Sequence, residues 1–433
     1  MRAAVAAVAG FLLSAQVALG ATPAYATSEP APRPEVLSAR AAAPATTSLP
    51  AAVFQARLVD SLASTSAASK YLGSALSGLV IDRESGQTVW SSNLGAARMP
   101  ASTQKVITAY TVLRSLPLST QFVTTVNLEA PQSRTIYLRG GGDPSLGPLR
   151  FKALAENTAR DLLARGLTSA RLQVDDTALP PASLANGWKT SYLAGDVQYV
   201  RGLTLYGYRG ADGTLAAGKV FAAHLTKLGI TTKLVGRAVT PSSSLRVATS
   251  SSAPVSQLLA AMLSESNNDY AEYLSRHAAR AGGKPATFAG AAAQQRSVLA
   301  SAGVPLSGFA SYDGSGLSRA DRMPVATMAA VLNRLLTNDT YRDVAFGYGA
   351  MPRAGQTGTL RNRFTTSYQA CARGRVLAKT GTLNGVVGLA GLAKGSDQRD
   401  RIFVLLNNGS SDTSKVRSAI DTMATIVVGC QLG

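Results

Sequence analysis

The sequence holds little of what metal-centred and histidine-based chemistry requires. Its 433 residues include two cysteines, Cys371 and Cys430, and two histidines, His224 and His277. No Cys-x-x-Cys pair or Cys/His cluster occurs, so neither a metal site nor a zinc cofactor is expected. Two scattered histidines also disfavour a Ser-His-Asp hydrolase. The run Gly140-Gly141-Gly142 lacks a following Gly-Lys-Ser/Thr and is no phosphate loop. Asp175-Asp176 and Asp143 sit beside turn residues and read as turn formers. Aromatics make up only 6% of the chain, so the core must be packed from Ala, Leu and Val, with Trp90 and Trp188 expected inside it.

Acids are scarce as well. Against 24 Asp and Glu stand 43 Lys and Arg, a net charge of +19. Such an excess suits polyanions, but no block of basic residues with interleaved aromatics is present, and no nucleic-acid partner is expected. The first residues read as an export signal. Arg2 precedes an apolar stretch from Ala3 to Leu19, and Ala24-Tyr25-Ala26 fits a small-x-small cleavage site, with the Gly20/Ala21 region as an alternative. No other stretch approaches the ~20 apolar residues of a membrane span. A mature protein without a transmembrane anchor, acting outside the cytoplasm and facing a polyanionic wall or carboxylate-bearing substrates, is the expectation, with a merely solvated basic surface as the alternative. Two cysteines in an exported chain permit a single disulfide between Cys371 and Cys430.

Residues 1–26 are thus assigned to the signal and 27–50, rich in Ala, Pro, Ser and Thr, to a flexible linker. Helical spacing runs over 51–62 and 102–116. Leu79-Val80-Ile81 and Thr88-Val89-Trp90 flank a Glu84-Ser85-Gly86-Gln87 turn, a hairpin signal. Short strands are expected at 123–126, 135–138, 172–174 and 203–206, and helices at 154–163 and 216–228. Helical stretches at 255–263 and 270–281 meet near Ser264 to Asp269. Strands at 376–379, 386–392 and 402–406 and a helix from about Ser414 to Val428 close the chain. This order predicts an α+β fold: one antiparallel sheet built from both chain ends, with a helical cluster beside it.

Three short motifs follow one another: Ser102-Thr103-Gln104-Lys105, Ser266-Asn267-Asn268 and Lys379-Thr380-Gly381. With 43 Ser and 11 Lys, about one Ser-x-x-Lys arises by chance, and Ser-x-Asn is equally common; Lys-Thr-Gly is expected only about 0.1 times. Order and setting carry the signal. Ser102 opens a helix, so Lys105 shares its face. Lysine becomes a base when burial beside a second cation lowers its pKa, and Lys379 ends a hydrophobic strand that brings one.

The flanks narrow the match. Pro100-Ala101-Ser102-Thr103-Gln104-Lys105, Leu138-Arg139-Gly140-Gly141-Gly142-Asp143-Pro144, Val174-Asp175-Asp176, Asp313-Gly314-Ser315-Gly316-Leu317-Ser318 and Gly358-Thr359-Leu360-Arg361 resemble the class C low-molecular-mass penicillin-binding proteins, the D-alanyl-D-alanine carboxypeptidase/endopeptidase family. The resemblance spans roughly residues 70–408. It implies a β-lactamase/transpeptidase-like domain over 51–122 and 246–433, interrupted by a smaller inserted α/β domain over 123–245. The 164 residues between Ser102 and Ser266 leave room for that insert, though for a shorter one than fuller members of the family carry.

The resemblance also implies roles. Ser102 would be acylated, Lys105 would take its proton, Ser266 would pass a proton to the leaving amine, and Asn268 would hold Lys105 and the substrate backbone. Lys379 and Thr380 would bind the terminal carboxylate, Gly381 would let the peptide lie close, and the N–H groups of Ser102 and Thr382 would form the oxyanion hole. The Asp313–Ser315 segment would line or brace the cleft. Implied partners are stem peptides ending in D-Ala-D-Ala and β-lactams as acylating inhibitors, with no cofactor. Two alternatives stand beside this: a β-lactamase of the same fold, against which none of the seven Glu has Asn four residues on, and a catalytically silent wall-binding relative.

Overall fold

The hairpin predicted around residues 84–87 forms and opens the first of two sheets in the computed structural model, which describes residues 50–347, 349–430 and 432. The expected signal and linker lie outside the described residues but for Pro50. In chain order the strands are β1 Leu76–Asp82, β2 Thr88–Ser92, β3 Val123–Leu128, β4 Thr135–Arg139, β5 Ser169–Asp175, β6 Thr231–Arg237, β7 Leu245–Ser251, β8 Val376–Leu383, β9 Val386–Lys394 and β10 Asp400–Asn408. The helices are α1 Ala51–Ala68, α2 Gln104–Ser115, α3 Pro148–Ala164, α4 Gly213–Lys227, α5 Val255–Glu265, α6 Asn268–Ala281, α7 Phe288–Ser301, α8 Val325–Thr337, α9 Asp339–Phe346 and α10 Thr413–Val428.

The first sheet, ordered β2-β1-β10-β9-β8, is antiparallel throughout and joins both ends of the described chain. Its period-2 alternation divides the core. Along β10, Ile402, Val404 and Leu406 pack into a cluster with α2, α5, α6 and α8, whereas Phe403 and Leu405 face the opposite cluster with α1 and α10. The sheet is thus a middle layer between two helical layers, an α+β arrangement. Helix α2 is buried from Gln104 through Leu113, which makes it the spine of the helical cluster.

The second sheet, β6-β5-β4-β3-β7, has its own apolar cluster with α3 and α4. The pairs β4–β5 and β5–β6 are parallel, each bridged by one of these helices, while β3 pairs antiparallel with β4 and β7. Residue 245, where sequence ends the inserted segment, does not end this sheet: pairing with β3 carries it through Ser251.

One expected strand is absent. Residues 203–206 are irregular because their neighbourhood bonds to a loop instead of a ladder: Gly142 N–H donates to the Gly202 carbonyl and Tyr206 N–H to that of Leu146. Leu203 still buries its side chain in the second core. Among the described residues no helix is long and apolar enough to cross a membrane.

Candidate active site

The site forms where the turn before α2, the α5–α6 junction and strand β8 converge. The turn is tight: Ala101 lies in the left-handed region at φ 46°, a conformation that costs a non-glycine residue about 1–2 kcal/mol. A 3₁₀ turn, Ala101–Thr103, follows and leads straight into α2. The Thr103 hydroxyl donates to the Pro100 carbonyl at 2.7 Å and ties the turn shut. Two glycines let neighbours close on it. A Cβ at Gly381 of β8 would stand 2.6 Å from the Pro100 oxygen, and one at Gly316 would run into the Ala101 carbonyl.

One helical turn after Ser102, the fully buried Lys105 turns its ammonium back onto it. Its Nζ donates to Ser102 Oγ at 3.0 Å, to Asn268 Oδ1 at 2.7 Å and to the Ser315 carbonyl at 2.8 Å. Asn268 opens α6, and its side-chain amide donates in turn to the Asp196 carbonyl at 2.9 Å.

A second lysine serves the other half of the site. Buried Lys379 donates to Ser266 Oγ at 2.8 Å and to its neighbour's carbonyl on Thr380 at 3.0 Å. Ser266 caps α5 in the left-handed conformation, φ 60°, which reverses the chain toward α6. The hydroxyls of Thr380 and Thr359 are 2.8 Å apart. Thr382 follows on the same strand and is exposed. Strand β8 is the sheet's edge, so an extended chain can approach its outer side. Sequence-selected Ser102, Lys105 and Asn268 form one hydrogen-bonded group and Ser266, Lys379 and Thr380 another, each centred on a buried lysine, while Gly381 packs against the turn that carries Ser102.

Charge is distributed unevenly around the two lysines. Burial brings the Lys105 pKa down to about 8, against the upward pull of Asp313, Glu272 and Asp269. Lys379 has no such acids: burial and the charge of Lys105 together hold it well below the usual lysine range.

The acids near Lys105 were only partly legible. Glu272 lies one turn after Asn268 on α6, fully buried, and accepts N–H groups from Gly314 and Ser315 at 2.8–3.2 Å. Burial, then Asp313, pushes its pKa up to about 7. Asp313 accepts from the Gly316 and Ser318 N–H groups and from the Trp188 indole, each at 2.7 Å. Trp188 is accordingly only half-buried, at the cleft loop and not in the core interior, whereas Trp90 is buried. Glu272, Asp321, Trp188 and Asp196 escaped sequence reasoning as site elements. The i,i+4 spacing of Asn268 and Glu272 was the one signal available.

His277, fully buried on α6, stacks on Phe122 at 3.8 Å between ring centroids. Its Nε2 donates to the Gly142 carbonyl and its Nδ1 accepts from Arg280, so it is a neutral packing residue. The Cys371 and Cys430 Cα atoms are 6.2 Å apart, a separation a disulfide spans, on the α1/α10 side of the sheet.

The profile of the D-Ala-D-Ala carboxypeptidase 3 (S13) family matches residues 58–199 and 198–427. Carboxypeptidase DacB of Mycolicibacterium smegmatis is 31% identical over 383 residues, covering 83% of this chain and 81% of that protein. Penicillin binding protein 4 of Haemophilus influenzae superposes with a TM-score of 0.71 at 20% identity, over 84% of this chain and 97% of that one; it has also been solved with a β-lactam. The Bd3459 predatory endopeptidase of Bdellovibrio bacteriovorus superposes at 0.53 with 18% identity, over 81% and 90%. These superpositions show a shared fold.

Proposed function

The chain belongs to the D-Ala-D-Ala carboxypeptidase 3 (S13) family, and we propose that it is an extracytoplasmic serine-type enzyme that removes the terminal D-Ala from peptidoglycan stem peptides through an acyl-Ser102 intermediate. The observation that carries this reading is the buried Lys105 ammonium, 3.0 Å from Ser102 Oγ and held by Asn268 and the Ser315 carbonyl.

Lys379 and the Thr380 hydroxyl receive the substrate's terminal carboxylate, and Thr359 orients that hydroxyl. Deprotonated Lys105 takes the Ser102 proton as Oγ bonds to the carbonyl carbon of the penultimate D-Ala. The resulting oxyanion lies between the N–H groups of Ser102 and Thr382. As the C–N bond breaks, the proton that Lys105 took passes through the Ser266 hydroxyl, which Lys379 holds at 2.8 Å, to the departing D-Ala amine, and Lys105 is neutral again. Water, deprotonated by Lys105, then cleaves the ester and restores Ser102. A β-lactam follows the first half of this path and leaves no mobile amine product, so the acyl-enzyme persists.

The separate apolar cluster of the second sheet supports an inserted module over residues 123–251. The test of the whole reading is D-Ala release from a D-Ala-D-Ala pentapeptide, with Ser102→Ala as control and cross-linked muropeptides alongside. Release lost in Ser102→Ala is expected, together with covalent labelling of Ser102 by penicillin. Release that survives in Ser102→Ala would overturn it. Rapid turnover of penicillin would favour the β-lactamase reading, and absence of labelling the silent wall-binding one. The likeness to an endopeptidase fold makes cleavage of cross-linked muropeptides the second activity to measure.

A further inference from the structure

An open surface depression of about 490 Å³ lies between the C-terminal end of α2 and the α8–α9 junction. Arg114 lies twelve residues after Ser102, about 18 Å along the helix at 1.5 Å per residue, so this depression is separate from the candidate active site. No Asp or Glu lines it. Arg114 of α2 and Arg334 of α8, both exposed, line it, and among the described residues neither has an ion pair or donates a hydrogen bond, although sixteen ion pairs engage other cations. The nearby Asp339 carboxylate is taken by Arg342 at 2.9 Å.

The remaining groups are also donors. Tyr110 and Tyr341 meet edge-on, 6.2 Å between centroids, and their hydroxyls have no partner among the described residues. Both guanidiniums stand close enough to draw the Tyr110 pKa down against the larger upward push of burial. Asn338 uses its oxygen to cap α9, accepting from Tyr341 N–H, and so leaves its amide N–H groups free. By contrast, Ser301 and Thr337 commit their hydroxyl protons to carbonyls of their own helices.

Two guanidinium forks, two phenols and one amide, with no acid, form a site complementary to a multiply oxygenated anion. A carboxylate offers two oxygens, and one arginine satisfies it; a phosphate group can engage both forks and the phenols together. We propose that this pocket binds a phosphate group carried by an anionic wall polymer and so holds the enzyme on its substrate's surroundings. The polymer as source rests on the peptidoglycan reading above; the phosphate chemistry does not.

The full mature chain is titrated calorimetrically with inorganic phosphate, with poly(glycerol phosphate) and with acetate, for the parent and for the double variant Arg114→Gln/Arg334→Gln. Saturable phosphate and polymer binding is expected, weaker by about tenfold or more in the double variant, since charge-assisted hydrogen bonds are lost. Acetate binding is expected to be far weaker. D-Ala release from a soluble pentapeptide should be unchanged in the double variant, and Ser102→Ala should bind phosphate like the parent, so failure of the pocket and failure of the catalytic reading are told apart. No saturable phosphate binding, or equal affinity in the double variant, overturns the proposal, as does acetate binding as tightly as phosphate. Arginine-dependent sedimentation with phosphatidylglycerol vesicles, without polymer binding, overturns the polymer as source. Melting temperatures check that the double variant folds, and the single variants serve if it does not.

Discussion

At the scale of single residues, the two buried lysines face different surroundings, and that difference sets the chemistry. Lys105 is ringed by acids that keep its pKa near 8 despite burial. Only its neutral form can take the Ser102 proton, so kcat/KM for D-Ala release should rise with pH through a limb near pH 8. Lys105→Met should abolish acylation by penicillin, read as loss of covalent labelling. Asp321 makes a second residue-scale case. Buried, with the Asp313 carboxylate in hydrogen-bonding reach, it holds a proton well above the ordinary 3.8. Above pH 3.8 the folded state therefore binds more protons than the unfolded one, and stability contributed by this group is lost as pH rises through the folded pKa. Asp321→Asn keeps the oxygen that accepts from Tyr312 N–H at 2.8 Å and supplies a permanent donor toward Asp313. Its melting temperature relative to the parent should therefore climb as pH rises from 4 to 9, measured by thermal unfolding at each pH. Ser102 and both lysines were legible in sequence because short motifs carry them. Glu272 and Asp321 were not, since single acids announce themselves only when a loop folds onto them.

At the scale of elements, strand β8 and the turn before α2 depend on each other. Gly381→Ala places a methyl 2.6 Å from the Pro100 oxygen and 3.1 Å from Thr103 N, so the strand must shift away from Ser102. Penicillin acylation should slow by about a hundredfold, since small displacements of reacting groups cost that much; stopped-flow labelling checks it, with circular dichroism reporting a retained fold. Several elements with strong contrast were read from sequence: the β1–β2 hairpin, α2, the α5–α6 junction and the late strands. Strands β6 and β7 were missed because they are the outer strands of the second sheet and bury little apolar surface; β6 has no fully buried residue. Helices α7, α8 and α9 were missed; the α7 run Phe288-Ala-Gly-Ala-Ala-Ala-Gln-Gln has little amphipathic contrast, whereas α8 buries Val325, Met328, Val331, Leu332, Leu335 and Leu336 and its apolar spacing was readable. Residues 203–206 show the converse error, an apolar run whose backbone bonds lead to a loop.

At the scale of the whole molecule, the cysteine pair ties the 3₁₀ turn Tyr368–Ala372 to the end of α10. A bridge across 59 residues restricts the unfolded chain by about 4 kcal/mol in the chain-entropy model. Protein isolated under oxidising conditions should show no reactive thiol, and Cys371→Ser/Cys430→Ser should melt several degrees lower while D-Ala release at 25 °C is retained. Both are read by thiol titration and thermal unfolding. Disulfide and active site lie on opposite faces of the first sheet, so the loss is one of stability and not of chemistry.

The pairing of β1 with β10 has a consequence in time. Strand β1 is complete early in synthesis, yet the partner that seats it between its neighbours lies at residues 400–408, and the Lys379 strand is stitched to it only through β9. The second sheet, by contrast, draws all its strands from residues 123–251 and can close first. A chain emerging from its N-terminus thus carries Ser102 and Lys105 long before Lys379 and strand β8 exist, because assembly of the candidate site waits on long-range closure. On the proposed function, a chain truncated before β10 should therefore show no covalent labelling by penicillin, whereas the full chain should.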